Sequence, residues 1–224
     1  MSRSREAMLG NIRGALGRGT LSAETAGELA ERVAAHRRNL IPARAAGLDH
    51  AGRVGLFQTM AEEVQTSVAR VASAGEVAAE VARYLAAENL PAELVMAPDP
   101  GLDDCGWDGR PLLQIRRGKA ESSDAVSVTP CIAAVAETGT LMLVSGADTP
   151  TTLNFLPDTH IVVVREGQVV AAYEDGWDRV RALGAWPRTV NFITGPSRTG
   201  DIEQRIQVGA HGPRRLHVVI VGDG

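Results

Sequence analysis

Three short polar stretches carry the residue types that chemistry needs, and each borders an apolar run. The first is Glu137-Thr138-Gly139-Thr140. A carboxylate and two hydroxyls surround a glycine, which permits positive φ and close backbone approach. On such a turn Glu137 can act as nucleophile, general base or ligand clamp. A polar hairpin turn accounts for the same spacing equally well. The second stretch is residues 194–203 (TGPSRTGDIE), directly after an apolar run. If a helix starts at Ser197, its free N–H groups and positive dipole end form an anion site. Arg198 adds a planar fork suited to carboxylate or phosphate. Asp201 and Glu203 then fall in the first turn, where acids favour the dipole. The plainer reading, Ser197 or Thr199 as an N-cap, is compatible with an anion site. The third stretch holds His211 beside Gly209 and Gly212. A loop histidine can donate, accept or titrate near neutral pH, or simply hold the turn. His160 and His217 sit in or beside apolar runs and read as structural.

Several chemistries find no support. There is no Gly-Lys-Ser/Thr phosphate loop, no GxGxxG after a strand and no Gly-x-Ser-x-Gly elbow. Two cysteines, Cys105 and Cys131, without a CxxC pair or a Cys/His run, argue against a metal or iron–sulfur cofactor held by this chain. Free thiols fit the cytoplasm. The opening residues lack the apolar core of a signal peptide, and no apolar run is long enough for a membrane span. The 23 basic and 27 acidic residues give a net charge of -4, and the three tryptophans are scattered, so a nucleic-acid partner is not expected.

The elements that must position these loops follow from periodicity. Residues 3–16 and 22–40 read as an Ala/Arg/Glu-rich helical arm, which suggests a boundary between residues 1–48 and an α/β domain over 49–224. Val54, Leu56, Phe57, Met60 and Val64 repeat at helical spacing, as do Val77, Val81 and Leu85. Strands are expected at 67–71, 94–97, 111–115, 125–129, 140–144, 161–164, 190–193 and 216–221, with further helices at 174–183 and from 197 to 206. The run Ile161-Val162-Val163-Val164 is apolar on both faces, as central parallel strands are. Alternating strands and helices predict a Rossmann-like, open, mostly parallel sheet with helices on both faces. The strand-rich second half also admits an antiparallel meander. In such sheets ligands sit beyond the carboxyl ends of strands, where the three loops are expected.

Read together, residues 136–144 (AETGTLMLV), 156–164 (LPDTHIVVV), 193–203 (ITGPSRTGDIE) and 209–216 (GAHGPRRL) resemble the LUD-domain family, and within it the LutC/YkgG branch, the lactate utilization protein C group. The resemblance is strongest over residues 125–221. It implies a fold like the NagB/RpiA/CoA-transferase type. It also implies a non-redox component of a three-part system that oxidises L-lactate to pyruvate, whose LutA-like and LutB-like partners carry the iron–sulfur modules. The motif positions it maps are Glu137, Thr138, Gly139, Thr140, Ser197, Arg198, Thr199, Asp201, Glu203, His211 and Gly212. Their expected arrangement is a three-sided pocket for a small carboxylate or phosphate, with Glu137 and His211 facing the anion. One departure is Cys131-Ile132-Ala133-Ala134, where family members often carry an acidic residue. A stand-alone CoA-transferase-like or sugar-phosphate-isomerase-like enzyme using Glu137 remains an alternative, as does a scaffold without a small-molecule site. A homo-oligomer is left open.

Overall fold

The computed structural model describes residues 3–38, 41–199 and 207–222. They fall into two compact units, residues 1–40 and residues 41–224. The smaller unit contains α1 (Arg3–Ala15) and α2 (Ala23–Ala35). Ser22 caps α2 by accepting from the Thr25 N–H at 3.1 Å. The apolar side chains Met8, Ile12, Leu16, Leu29 and Val33 of this unit remain exposed.

The larger unit runs α3 (His50–Glu63), β1 (Ser67–Val71), α4 (Val77–Ala87), β2 (Glu93–Met96), β3 (Gln114–Arg117), β4 (Val126–Pro130), β5 (Ala133–Val135), β6 (Thr140–Val144), α5 (Thr152–Phe155), β7 (Thr159–Arg165), β8 (Val169–Val170), α6 (Tyr173–Arg181), β9 (Val190–Ile193), β10 (Arg198–Thr199), β11 (Gln207–Val208) and β12 (Arg215–Val221). Six strands form an all-parallel sheet in the order β1-β12-β7-β4-β2-β3. A second, four-stranded sheet, β8-β5-β6-β9, is antiparallel at β5–β6 and β6–β9. The expected α/β architecture with a mostly parallel sheet is therefore present, and the meander of the second half forms its own sheet.

Strand alternation decides the layers. On β7, Ile161 and Val163 pack with Val77, Val81 and Leu85 of α4. Val162 and Val164 face the other way, onto Val54, Phe57 and Ala61 of α3 and Ala134, Leu141 and Leu143 of the small sheet. The far face of the small sheet, with Ala133, Val135 and Met142, is covered by Val180 of α6. Asp49 starts α3 by accepting the Gly52 N–H at 2.8 Å. Phe57, fully buried, contributes about 1.5–3 kcal/mol through its burial alone.

Three expectations need correction. The third strand is Gln114–Arg117 rather than residues 111–115. Ser197 does not open a helix: Arg198–Thr199 pairs antiparallel with Gln207–Val208. The intervening residues, including Asp201 and Glu203, lie outside the described ones. The tryptophans are not all scattered, since Trp177 and Trp186 have ring centroids 6.4 Å apart, with Phe192 5.6 Å from Trp177.

Candidate functional site

The site is organised around the C-terminal turn of α3, against which two loops press. Gly139, in the turn between β5 and β6, has φ +65, and a Cβ there would stand 2.4 Å from the Ala61 nitrogen. Gly195, just after β9, has φ +79, and its Cβ would stand 2.6 Å from the Val64 carbonyl oxygen. Only glycine fits both the left-handed backbone and the close approach. Arg198 adds a third tie, because its Nη2 donates to the Val64 carbonyl at 3.0 Å. That carbonyl belongs to the helix end, where orphan acceptors and the negative dipole favour a cation.

The turn buries Glu137, which is only 5% exposed. Its N–H donates to the Ala171 carbonyl at 3.2 Å, and its Oε1 accepts the Tyr173 N–H at 3.4 Å. Tyr173 is the first residue of α6, so the carboxylate serves an otherwise unpaired helix N–H at the positive end of the dipole. Oε2 has no partner among the described residues.

Beside Glu137 the hydroxyls form a connected set. Thr138 Oγ1 and Thr140 Oγ1 are 2.8 Å apart, and each lies 2.9 Å from the Tyr173 hydroxyl. Thr140 Oγ1 continues to Thr194 Oγ1 at 2.7 Å. The Glu137-Thr138-Gly139-Thr140 turn is thus tied to the 194–198 loop through Thr140 and Thr194.

Thr194 opens onto a cavity of about 250 Å³. The 194–198 and 211–213 loops both line it, joined by Ser197 N–H to Pro213 carbonyl at 2.8 Å and Gly209 N–H to Ser197 carbonyl at 2.9 Å. Ser197, Arg198, His211 and Gly212 line this cavity together, while Glu137, Thr138, Gly139, Thr140 and Thr199 stand outside its walls. The expected three-sided pocket is therefore two loops, with the third attached by one hydrogen bond. Its location also differs from expectation. Asn154, His160 and Leu216 place it at the amino ends of β7 and β12, where they face the carboxyl end of β9.

From sequence alone, His160 reads as structural, Thr194 stands only as the first residue of the second stretch, and Asn154 and Tyr173 are given no role at the site. His160 is fully buried, its Nε2 lies 2.8 Å from Thr129 Oγ1, and its Nδ1 has no partner among the described residues. Burial pushes its pKa down to about 3, so the ring is neutral at physiological pH. The signal available in the sequence was a histidine at the head of a β-branched run, directly after a polar loop.

Among the described residues, the polar side chains on the cavity wall are Asn154, His160, Thr194, Ser197, Arg198 and His211, with no carboxylate. A wider hollow of about 560 Å³ at the carboxyl ends of β2 and β3 has Asp103 and Asp108 together with Arg110 and Arg117 on its walls, and Arg117 is ion-paired with Asp103 at 2.6 Å. The two differ in that Arg198 on the first wall faces no acid among the described residues, whereas the arginines of the second share their wall with two aspartates. Among the described residues, no three His, Cys, Asp or Glu side chains are grouped as a metal site requires, and no helix is long and apolar enough to cross a membrane. Both cysteines are buried, and burial pushes the Cys105 thiol to about 11 and the Cys131 thiol to about 12. Neither is poised to be a thiolate ligand.

A family model described as LUD domain matches residues 54–221, which contain every element of this site. Among curated relatives, a lactate utilization protein C of Deinococcus radiodurans is 40% identical over 109 residues, 48% of this chain and 51% of that protein. A lactate utilization protein C of Bacillus subtilis is 36% identical over 109 residues, 47% and 45% of the two chains. The chain thus spans about half the length of the curated relatives it matches. A crystal structure of a DUF162 family protein from Deinococcus radiodurans superposes with a TM-score of 0.61 at 28% identity, covering 78% of this chain and 99% of that one. The matched segment and the shared fold bear out the resemblance carried by the loop motifs: this chain belongs to the LUD-domain family.

Proposed function

We propose that the chain is the non-redox, small-anion-binding component of an L-lactate utilization system, acting with LutA-like and LutB-like iron–sulfur proteins. The observation that carries the reading is the cavity wall, which among the described residues offers several hydrogen-bond donors and no carboxylate. Its volume of about 250 Å³ lies just below the ~300–1,000 Å³ of drug-sized sites, which suits a ligand of a few heavy atoms. A carboxylate seated against Arg198 and Ser197 gains charge-assisted hydrogen bonds. The curated relatives named for lactate utilization supply the substrate class. Cavity geometry gives no separate support to Glu137 as a nucleophile, because that carboxylate stands outside the walls and serves α6.

Calorimetric titration with L-lactate, pyruvate and inorganic phosphate tests the reading. The wild type binds at least one of these anions. Arg198→Ala weakens that binding by about tenfold or more, the loss of one charge-assisted contact. Because Arg198 also caps α3, His211→Ala is measured in parallel, with urea midpoints for both variants. No binding by the wild type, or undiminished binding by both folded variants, overturns the assignment.

A further inference from the structure

Resting on the anion-cavity reading, we infer that Thr194 is a fixed hydrogen-bond acceptor that makes this cavity select a 2-hydroxy acid over the corresponding 2-oxo acid. Protons and contacts in the hydroxyl cluster match one for one. Thr138, Thr140 and Tyr173 form a closed triangle of oxygens at 2.8, 2.9 and 2.9 Å, and Thr194 hangs from Thr140 at 2.7 Å. All four contacts are of hydrogen-bond length for hydroxyl pairs. Each hydroxyl has a single proton to donate.

Four contacts and four protons leave two assignments, which differ only in the sense of rotation around the triangle and share one role for Thr194. Among the described residues Thr194 meets Thr140 alone, and its proton fills that contact once the triangle has used the other three. The other three protons then run head to tail around the triangle. If Thr140 instead donated to Thr194, the triangle would hold three contacts and two protons, and one pair of oxygens would face each other with lone pairs only. Thr140 is fully buried, Thr138 and Tyr173 are part-buried, and an oxygen pair 2.8–2.9 Å apart admits no water between its members to relieve that contact. The proton of Thr194 is therefore committed inward, and its oxygen presents only lone pairs to the cavity it lines.

The rest of the wall is different in kind. Arg198 can only donate, while Asn154 and Ser197 can turn either a donor or an acceptor to a ligand. Thr194 cannot. A carboxylic acid bearing a 2-hydroxyl can place its carboxylate on the donors and give its hydroxyl proton to Thr194. A 2-oxo acid sets a carbonyl oxygen against the same lone pairs. This is discrimination by an unpaired polar contact rather than by size.

Competition binding of L-lactate, pyruvate and propionate to the full chain tests the inference. Propionate carries the carboxylate and no 2-oxygen. The wild type should bind lactate at least about tenfold more tightly than pyruvate, one mispaired contact's worth. Tyr173→Phe and, as a second variant, Thr138→Val each remove one corner of the triangle and release the Thr194 proton toward the cavity. In either variant the lactate-to-pyruvate ratio should fall toward one, chiefly by tighter pyruvate binding. Equal binding of all three acids by the wild type overturns the role of Thr194 and leaves the anion cavity standing. So does a ratio that persists in both folded variants. Binding of none of the three acids overturns the anion cavity and this inference with it.

Discussion

Acidification should unfold this protein through two buried histidines, His160 and His217. His217 is stacked on Tyr84 of α4 with ring centroids 4.0 Å apart, and its Nδ1 lies 2.9 Å from Ser67 Oγ. Its Nε2 is 3.4 Å from Glu80 Oε1 without hydrogen-bond alignment, a pair that would be ionic only with the ring protonated, and Arg83 already holds that carboxylate. Burial, only partly offset by Glu80, pushes the His217 pKa down to about 4, and burial pushes His160 to about 3. In the unfolded chain both titrate near the ordinary value of about 6.5. The unfolded state therefore takes up protons that the folded state refuses. The stability is fully present above about 6.5 and is lost as pH falls toward the folded values. Below pH ~6 each histidine contributes a slope of about 1.4 kcal/mol per pH unit, so from pH 7.5 to 5.0 the pair costs about 4 kcal/mol. Against a typical domain stability of about 5–15 kcal/mol this is a large share. Glu80, held below its usual range chiefly by its hydrogen bond from Arg83, gives stability lost only as pH falls through its lowered value, beneath this window. Urea unfolding between pH 5.0 and 7.5 reads the slope. His160→Gln and His217→Gln should each shallow it by about 1.4 kcal/mol per pH unit, one proton's worth. A wild-type slope matched by both variants would refute the assignment of these histidines as buried and neutral.

Two further outcomes follow from the geometry. Gly139→Ala, which combines left-handed φ with a Cβ 2.4 Å from the Ala61 nitrogen, should destabilise by more than the ~1–2 kcal/mol of backbone strain alone. Gly184→Ala, with φ +74 and open space around it, should cost only that strain, and equal urea midpoints for the two variants would contradict the close approach. Cys105 and Cys131, with thiols near 11 and 12, should resist iodoacetamide at pH 8 in the native protein and alkylate on unfolding, whereas rapid native labelling would contradict their burial.

The parts of the fold legible in sequence were those where local pattern and tertiary role agree. Ile161-Val162-Val163-Val164 is β-branched on both faces because both faces of β7 are covered, by α4 on one side and by α3 and the small sheet on the other. The helical spacing of Val77, Val81 and Leu85 is the face of α4 that packs on the large sheet. The second sheet was less legible, since β5, β8 and β9 are short and their partners are set by packing. Residues 197–203 look like a capped helix start, yet the partner of Arg198–Thr199 is Gln207–Val208, a pairing that propensity does not encode. Two of the site's three loops meet as their polarity suggested. The third, with Glu137, turns inward to α6 because the first N–H of that helix needs an acceptor. His160 and Tyr173 were hidden, one inside an apolar run and the other 33 residues from the hydroxyl of Thr140 that it meets.

The anion reading seats a small carboxylate in the cavity between residues 194–198 and 211–213, where the described wall bears no acid. A crystal structure of the full chain grown with L-lactate tests it most directly. The carboxylate is expected within hydrogen-bond distance of Arg198 or Ser197, with the 2-hydroxyl turned toward Thr194. Lactate bound elsewhere, or a cavity left empty at saturating lactate, would contradict it.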